Sequence, residues 1–145
     1  MKILKMSLLF LFASFAVQAQ DLRMEEVPAN LISAFEKEFT NAKDVEWEKD
    51  MENYNVEFEI DRMDYDVCYT PSGKEVKRKV ELLASQLPGA VQTTIKSKYP
   101  NLEADEVEMI RTGNEVMYKI ELESFTKEIE ITVDKNGKVL SERKD

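Results

Sequence analysis

The sequence predicts an α+β fold built from two tandem helix-plus-antiparallel-meander repeats, with the helices packed on one face of the sheet. Three observations predict it. Val27-Pro28 and Leu87-Pro88 each open a helix-patterned segment, and the apolar set Leu31, Phe35, Phe39 recurs sixty residues later as Val91, Ile95, Tyr99. Each copy then runs into short segments of alternating apolar and polar residues, the period of a half-buried strand. Each closes on a glycine turn, Ser72-Gly73 in the first and Asn136-Gly137 in the second. The offset grows from sixty residues at the helices to sixty-four at these turns, which slightly longer loops in the second copy would explain.

Residues 1–19 read as a secretory signal. Lys2 and Lys5 form a positive start, Leu8 to Val17 a short apolar core, and Val17-Gln18-Ala19 supplies small residues for cleavage after Ala19. The apolar run is too short for a membrane span of ~20 residues. With no Cys at the cleavage position a lipid anchor is not expected, and no later segment is apolar enough to span. The expected mature chain is 20–145, periplasmic or secreted, with repeat 1 at 24–82 and repeat 2 at 84–143. Its 126 residues suit one compact domain or two small, intimately packed units.

Within repeat 1, residues 20–26 read as a loose lead-in. A helix follows from Pro28 to about Thr40, proline being tolerated in a first turn where its missing N–H would be unpaired anyway. Leu31, Ile32, Phe35 and Phe39 make its apolar stripe. Strands follow at Val45–Trp47, Tyr54–Ile60 and Tyr65–Tyr69, with a tight turn at Arg62-Met63 and a fourth strand from Val76 to Leu82. Runs so short and so closely spaced predict an antiparallel meander. In repeat 2 the helix runs from Pro88 to about Tyr99, where Pro100 stops it. Val107 and Met109 begin the strands, and Thr112-Gly113-Asn114 turns the chain. Tyr118, Ile120 and Leu122 are matched with Val56, Phe58 and Ile60, and Ile129, Ile131 and Val133 with Tyr65, Val67 and Tyr69. Lys138 to Ser141 supplies a short last strand. One apolar sheet face per unit, facing one apolar helix stripe, leaves the other face to solvent or to a partner.

Without Lys2 and Lys5 the chain carries 18 basic residues against 29 acidic ones, a net charge near −11. Such a chain is repelled by phosphate backbones and anionic headgroups, so neither nucleic acid nor a membrane surface is an expected partner. Cys68 is the only cysteine, so no disulfide within the chain can staple the fold. In a strand pattern it reads as a packed thiol, with an intermolecular bridge as the alternative that an oxidising compartment allows.

The signal peptide, the two Val/Leu-Pro helix starts, the Tyr99-Pro100 helix end, the Trp47 strand and the glycine-turn strand pairs at Gly73 and Gly137 together resemble the secreted Bacteroidetes proteins of the beta-lactamase-inhibitor-like, PepSY-like family. The resemblance covers nearly the whole mature chain. It implies two tandem units forming an antiparallel sheet with helices on one side, and kinship in shape with inhibitors that grip an enzyme with the open sheet face and hairpin loops. It also implies kinship with domains that restrain secreted peptidases, and it brings no catalytic or metal motif.

The chemistry the residues permit agrees. With no histidine and one cysteine, N/S-type transition-metal sites and Ser–His or Cys–His nucleophiles are excluded. The four glycines are scattered at turns, so no phosphate loop exists. A hydrolase using paired carboxylates needs one of them desolvated in a pocket, and the acidic residues here alternate outward on strands. The chain is therefore read as non-catalytic, with no cofactor and no metal centre.

What stands out is where those acids fall. Opposite the apolar face lie Glu46, Glu48, Glu57, Glu59, Asp64 and Asp66 in the first copy, and Glu106, Glu108, Glu121, Glu123, Glu128 and Glu130 in the second. Lys119, Lys77 and Lys79 are the cations among them. Like charges on neighbouring strands destabilise a sheet by up to ~1 kcal/mol per pair. Three readings fit: a solvated face screened over ~8–10 Å at physiological salt, a docking face for a basic envelope or secreted protein, and a divalent-cation site. Asp61, Asp64 and Asp66 suit a hard cation such as Ca²⁺ in type, although not in loop spacing. Met51, Met63 and Phe125 fall in or beside predicted turns, where each is either an interface anchor or folds back on the sheet edge. The leading expectation is a protein-binding module that inhibits or chaperones an envelope enzyme, contacting it through Glu57, Glu59, Asp64, Asp66, Glu121, Glu123, Met51, Met63 and Phe125. The alternative is a Ca²⁺-responsive envelope protein.

Overall fold

The computed structural model describes residues 20–144, and the predicted signal at 1–19 lies outside the described residues. The alternating runs form β1 (Gln20–Leu22), β2 (Lys43–Asp50), β3 (Asn53–Ile60), β4 (Met63–Tyr69), β5 (Glu75–Glu81), β6 (Glu103–Thr112), β7 (Glu115–Ser124), β8 (Lys127–Asp134) and β9 (Val139–Lys144). The helical stripes form α1 (Ala29–Glu38) and α2 (Gly89–Lys98). Every strand pairs antiparallel with the next, so one nine-stranded sheet runs from β1 to β9 in chain order. The two repeats are halves of a single sheet, joined where Lys77–Glu81 of β5 pair with Thr112–Glu108 of β6.

Each helix is ten residues long, shorter than the ~12–15 at which an isolated helix becomes stable in water. Packing must hold them. Leu31, Phe35 and Phe39 share one core with Trp47, Val56, Phe58, Val67 and Tyr69. Its aromatic rings interlock: Phe35 meets Trp47 edge-on at 5.6 Å and Phe58 at 4.9 Å between ring centres, and Phe58 stacks on Tyr65 at 5.1 Å. The second core is mostly aliphatic, with Val91 of α2 lying among Val107, Ile120, Leu122, Ile129, Ile131 and Val133. Tyr65 faces Val80 and Val80 faces Met109 across the seam, so both cores lie on the same side of the sheet. The helices therefore cover one face and leave the other bare.

Three expectations need correction. Residues 20–26 are not a loose lead-in: Gln20–Leu22 pair with Lys49–Trp47 of β2, and Met24–Glu26 form a 3₁₀ turn. Leu22 opposite Trp47 covers part of an otherwise open edge, and three residues are too few to show alternation in sequence. The tight turn falls at Asp61-Arg62, whose positive φ angles suit a two-residue hairpin, so Met63 begins β4. Finally, the second copy has longer strands, not longer loops. The β2–β3 and β6–β7 turns are both two residues, Met51-Glu52 and Gly113-Asn114, while β6 and β7 have ten residues each against eight in β2 and β3. Trp47 faces Val56 as Val107 faces Ile120, which makes Tyr118, Ile120 and Leu122 the counterparts of Tyr54, Val56 and Phe58. The added rungs, Arg111 with Val116 and Thr112 with Glu115, extend β6 far enough to pair with β5 at Arg78 and Lys77.

The two glycine turns dock on the helices. Asn30 Nδ2 of α1 donates to Pro71 O at 3.2 Å, and Thr94 Oγ1 of α2 donates to Gly137 O at 2.6 Å. Both glycines have positive φ, 89° at Gly73 and 85° at Gly137, where a side chain is strained. Their surroundings differ. A Cβ at Gly73 would meet nothing closer than 3.7 Å, whereas one at Gly137 would stand 2.5 Å from Ala90 O and 2.6 Å from Thr94 Oγ1. Gly73→Ala should cost the backbone strain alone, about 1–2 kcal/mol. Gly137→Ala must also push α2 off the turn and should cost about 2–4 kcal/mol. Urea melts of the two variants check the order, and equal losses would contradict the close approach.

Candidate functional site

Alternation that sends Val56, Phe58, Val67 and Val80 to the helices sends Glu57, Glu59, Asp66 and Lys79 to the bare face. Pairing then sets like charges opposite one another: Glu46 with Glu57, Glu57 with Asp66, Glu59 with Asp64, Glu81 with Glu108, Glu121 with Glu130, and Glu123 with Glu128. Opposite charges meet where Lys79 reaches Asp66 at 3.3 Å, and where Lys119 and Arg143 hold Glu130 at 2.9 and 3.2 Å.

The face curves into a half-open trough of about 550 Å³ over the seam. Nine of its thirteen lining residues are carboxylates, drawn from β2 to β5 of the first repeat and from Glu106 and Glu108 of the second; Lys79 is its cation. A smaller hollow of about 80 Å³ adjoins it through the same Glu106 and Glu108, with Lys119, Glu121 and Glu130. The crowding shows in the acidities. Desolvation, then the negative charge of Asp64 on the next strand, then Glu106 and Glu108, push the Glu81 carboxyl up. Partial burial followed by Glu57, Asp21, Asp66 and Glu46 pushes Glu48 up, and partial burial followed by Glu128, Glu106, Asp105 and Glu123 pushes Glu121 up.

Behind the seam, on the helix side, the charges are matched. Glu75 accepts hydrogen bonds from Arg78 and, at 2.7 Å, from Arg111; Arg78 also bonds Glu38 and lies over the Phe39 ring at 4.8 Å. Burial disfavours the Glu75 anion, but the two guanidinium groups outweigh it and hold its carboxyl below the ordinary range. This clamp ties α1, β5 and β6 together, and no local pattern in the sequence announced it.

The predicted site residues divide. Glu57, Glu59, Asp64 and Asp66 converge in the trough. Glu121 and Glu123 share the bare face but lie in the second repeat, where Asp105, Glu121 and Glu123 can bring one oxygen each within 4.8 Å of one another. The apolar anchors do not join them. Met51 is 75% exposed in the β2–β3 turn, and Phe125 is fully exposed in the β7–β8 turn at the opposite end of the strands. Met63 is half-buried on the helix side, opposite Ile60. Glu81 was missed, because its neighbours come from β4 and β6, and β6 lies more than twenty residues away in sequence. Cys68 is a free, half-buried thiol on the bare face, between Asn55 and Lys77.

A raised carboxyl binds its proton more readily in the folded chain than in the unfolded one. Its stabilising contribution is therefore complete below the unfolded value and lost as pH rises through the folded value. Glu48, Glu81 and Glu121 act in that direction, while the lowered Glu75 loses its contribution only as pH falls through its own folded value. The melting temperature should thus be higher near about pH 5.5 than at about 7.5, and the gap should shrink in molar salt. A melting temperature that falls steadily from neutrality downward would contradict the crowding.

The family described as beta-lactamase-inhibitor-like and PepSY-like matches the chain twice, over residues 15–74 and 71–141. Solved structures share the fold. A DUF2874 family protein of Bacteroides uniformis is 18% identical with a TM-score of 0.68, covering 81% of this chain and 88% of its own. A Bacteroides eggerthii protein described as periplasmic is 19% identical with a TM-score of 0.68, at 81% and 88% coverage. A BLIP-like protein of Bacteroides fragilis is 23% identical with a TM-score of 0.66, at 81% and 85% coverage. No curated protein matches the chain. No helix among the described residues is long and apolar enough to cross a membrane. With both repeats matched in tandem and the same architecture in its structural neighbours, the chain belongs to the beta-lactamase-inhibitor-like, PepSY-like family.

Proposed function

We propose that this protein is a non-catalytic binding module of the cell envelope, periplasmic or secreted, that docks a basic surface of an envelope enzyme on its bare sheet face and inhibits or chaperones that enzyme. The observation that carries the reading is the trough, which gathers nine carboxylates from both repeats around one lysine on a face that the helices leave uncovered. Charge of one sign held on a rigid sheet attracts a complementary partner and fixes its register. The double family match supports two tandem repeats, which this reading places at 24–82 and 84–143 within a mature chain of 20–145. The periplasmic description of the Bacteroides eggerthii neighbour and the BLIP-like description of the Bacteroides fragilis one support the compartment and the kind of partner. In this reading Glu57, Glu59, Asp64 and Asp66 make the central contacts, Glu121 and Glu123 extend them, and Met51, Met63 and Phe125 lie outside the contact.

The mature chain used as bait on an envelope fraction should retain a basic protein. Replacing Glu57, Glu59, Glu121 and Glu123 by lysine should release it without lowering the melting temperature, because like-charge pairs are removed. Retention by the reversed variant would overturn the surface.

A second reading, a Ca²⁺-responsive protein, draws on the convergence of Asp105, Glu121 and Glu123. Oxygen-only donors of this kind suit a hard cation. Binding to the native state alone must raise stability, so on this reading millimolar Ca²⁺ lifts the melting temperature and Glu123→Gln removes the lift. A melting curve that Ca²⁺ does not move discards it.

A further inference from the structure

The outer edge of β2 is closed by three residues. Gln20, Asp21 and Leu22 pair with Lys49, Glu48 and Trp47, and Leu22 packs on the aromatic core of the first unit. The second unit closes the matching edge of β6 with Val80 opposite Met109, Glu81 opposite Glu108, and a hydrogen bond from Leu82 N to Val107 O. Both segments then enter a 3₁₀ turn, Met24–Glu26 in one and Ala84–Gln86 in the other. The difference lies upstream. Val80 is preceded by the rest of β5, which holds it in place, whereas cleavage after Ala19 makes Gln20 the first residue. In the mature chain the closure of β2 therefore hangs on a free end, from which residues can be removed one at a time.

That end is an exposed glutamine. An N-terminal glutamine carries its own electrophile, because its α-amine reaches its side-chain carboxamide carbon in a five-membered ring. The amine has an ordinary pKa of about 7.7–8.0, so part of it is unprotonated and nucleophilic near neutrality. Resting on the mature chain of 20–145 given above, we propose that Gln20 is a modification site and that the mature protein begins with pyroglutamate. The α-amine nitrogen bonds Cδ, the Cδ–Nε2 bond breaks, and the carboxamide nitrogen leaves as ammonia with the proton that the amine gives up. No oxidant, reductant or co-substrate enters. The ring retains one amide N–H and leaves the Gln20 carbonyl unaltered, so the strand loses none of its backbone acceptors. It also removes a positive charge across from Lys49. An aminopeptidase needs a free α-amine and has no hold on the lactam. The modification thus locks the strand that covers Trp47–Lys49.

The test takes the native protein from the envelope of the producing organism, blocks its free amines by reductive methylation, digests it with trypsin and reads the N-terminal peptide by mass spectrometry. The peptide should start at residue 20, carry no methyl group on its terminal nitrogen, and weigh one ammonia less than Gln20-Asp21-Leu22-Arg23 demands. A methylated, open glutamine at the same start would overturn the modification and leave the mature chain standing. A first residue other than Gln20 would overturn the mature-chain reading and the proposal with it. Gln20→Asn, whose shorter side chain would have to close a four-membered ring, should keep its amine when made in the same organism. A broad-specificity aminopeptidase should strip that variant through Leu22 and lower its melting temperature, while the native chain keeps its mass and its melting temperature. Equal resistance of the two chains would overturn the protective role and assign it to the β1–β2 pairing alone.

Discussion

Five backbone rungs between β5 and β6 make two repeats into one molecule. Each unit alone has a short helix over four strands, and each helix is too short to persist without the sheet beneath it. Joined at the seam, the two apolar surfaces lie on one side and the two acidic surfaces on the other, because a sheet with a side-chain period of two cannot switch faces without a break. The seam also draws carboxylates of both repeats into one trough. The two extra rungs at the end of β6 and β7 supply two of the five pairs, and they bring Arg111 within reach of Glu75. Behind the trough the charges are satisfied; in front of it they are not.

That asymmetry sets the energetics. The aromatic core of the first unit and the aliphatic core of the second hold the sheet by burial, and the near-zero exposure of Leu31, Val56, Val91, Ile120 and Ile131 shows how completely. The bare face works against them, since each carboxylate pair in register is repulsive. A chain under selection for stability alone would intersperse lysines among these pairs, as it does once at Lys79 and once at Lys119. Retaining Glu59, Asp64, Glu81 and Glu108 side by side is a cost that a cationic partner would offset.

Much of this was legible in the sequence, for physical reasons. Stripes at Leu31, Phe35, Phe39 and at Val91, Ile95, Tyr99 reveal helices because burial imposes the helical period. The strands around Val56 and Ile131 reveal themselves by alternation, and that same alternation announces the acidic face. What was not legible is what depends on pairing between distant segments. The match of Val56 with Ile120 needed the register, since an offset of two residues keeps the same face and looks equally good in sequence. Glu81 sits at the end of a strand with no distinguishing neighbour of its own, and only β4 and β6 on either side make it part of the trough. Met51, Met63 and Phe125 look alike in sequence as apolar residues near turns; the strand directions put Met51 at one end, Phe125 at the other, and Met63 against the helix side.

The account stands or falls on whether the trough is covered when the protein is engaged. Carboxyl footprinting reads this directly: the mature chain is labelled with a carbodiimide and an amine, alone and in envelope extract, and each modified acid is located by mass spectrometry. The account predicts that Glu59, Asp64, Glu81 and Glu108 lose labelling in the extract while Glu25 and Glu36, away from the bare face, keep theirs. Unchanged labelling along the trough, with protection at Glu25 and Glu36 instead, would contradict it.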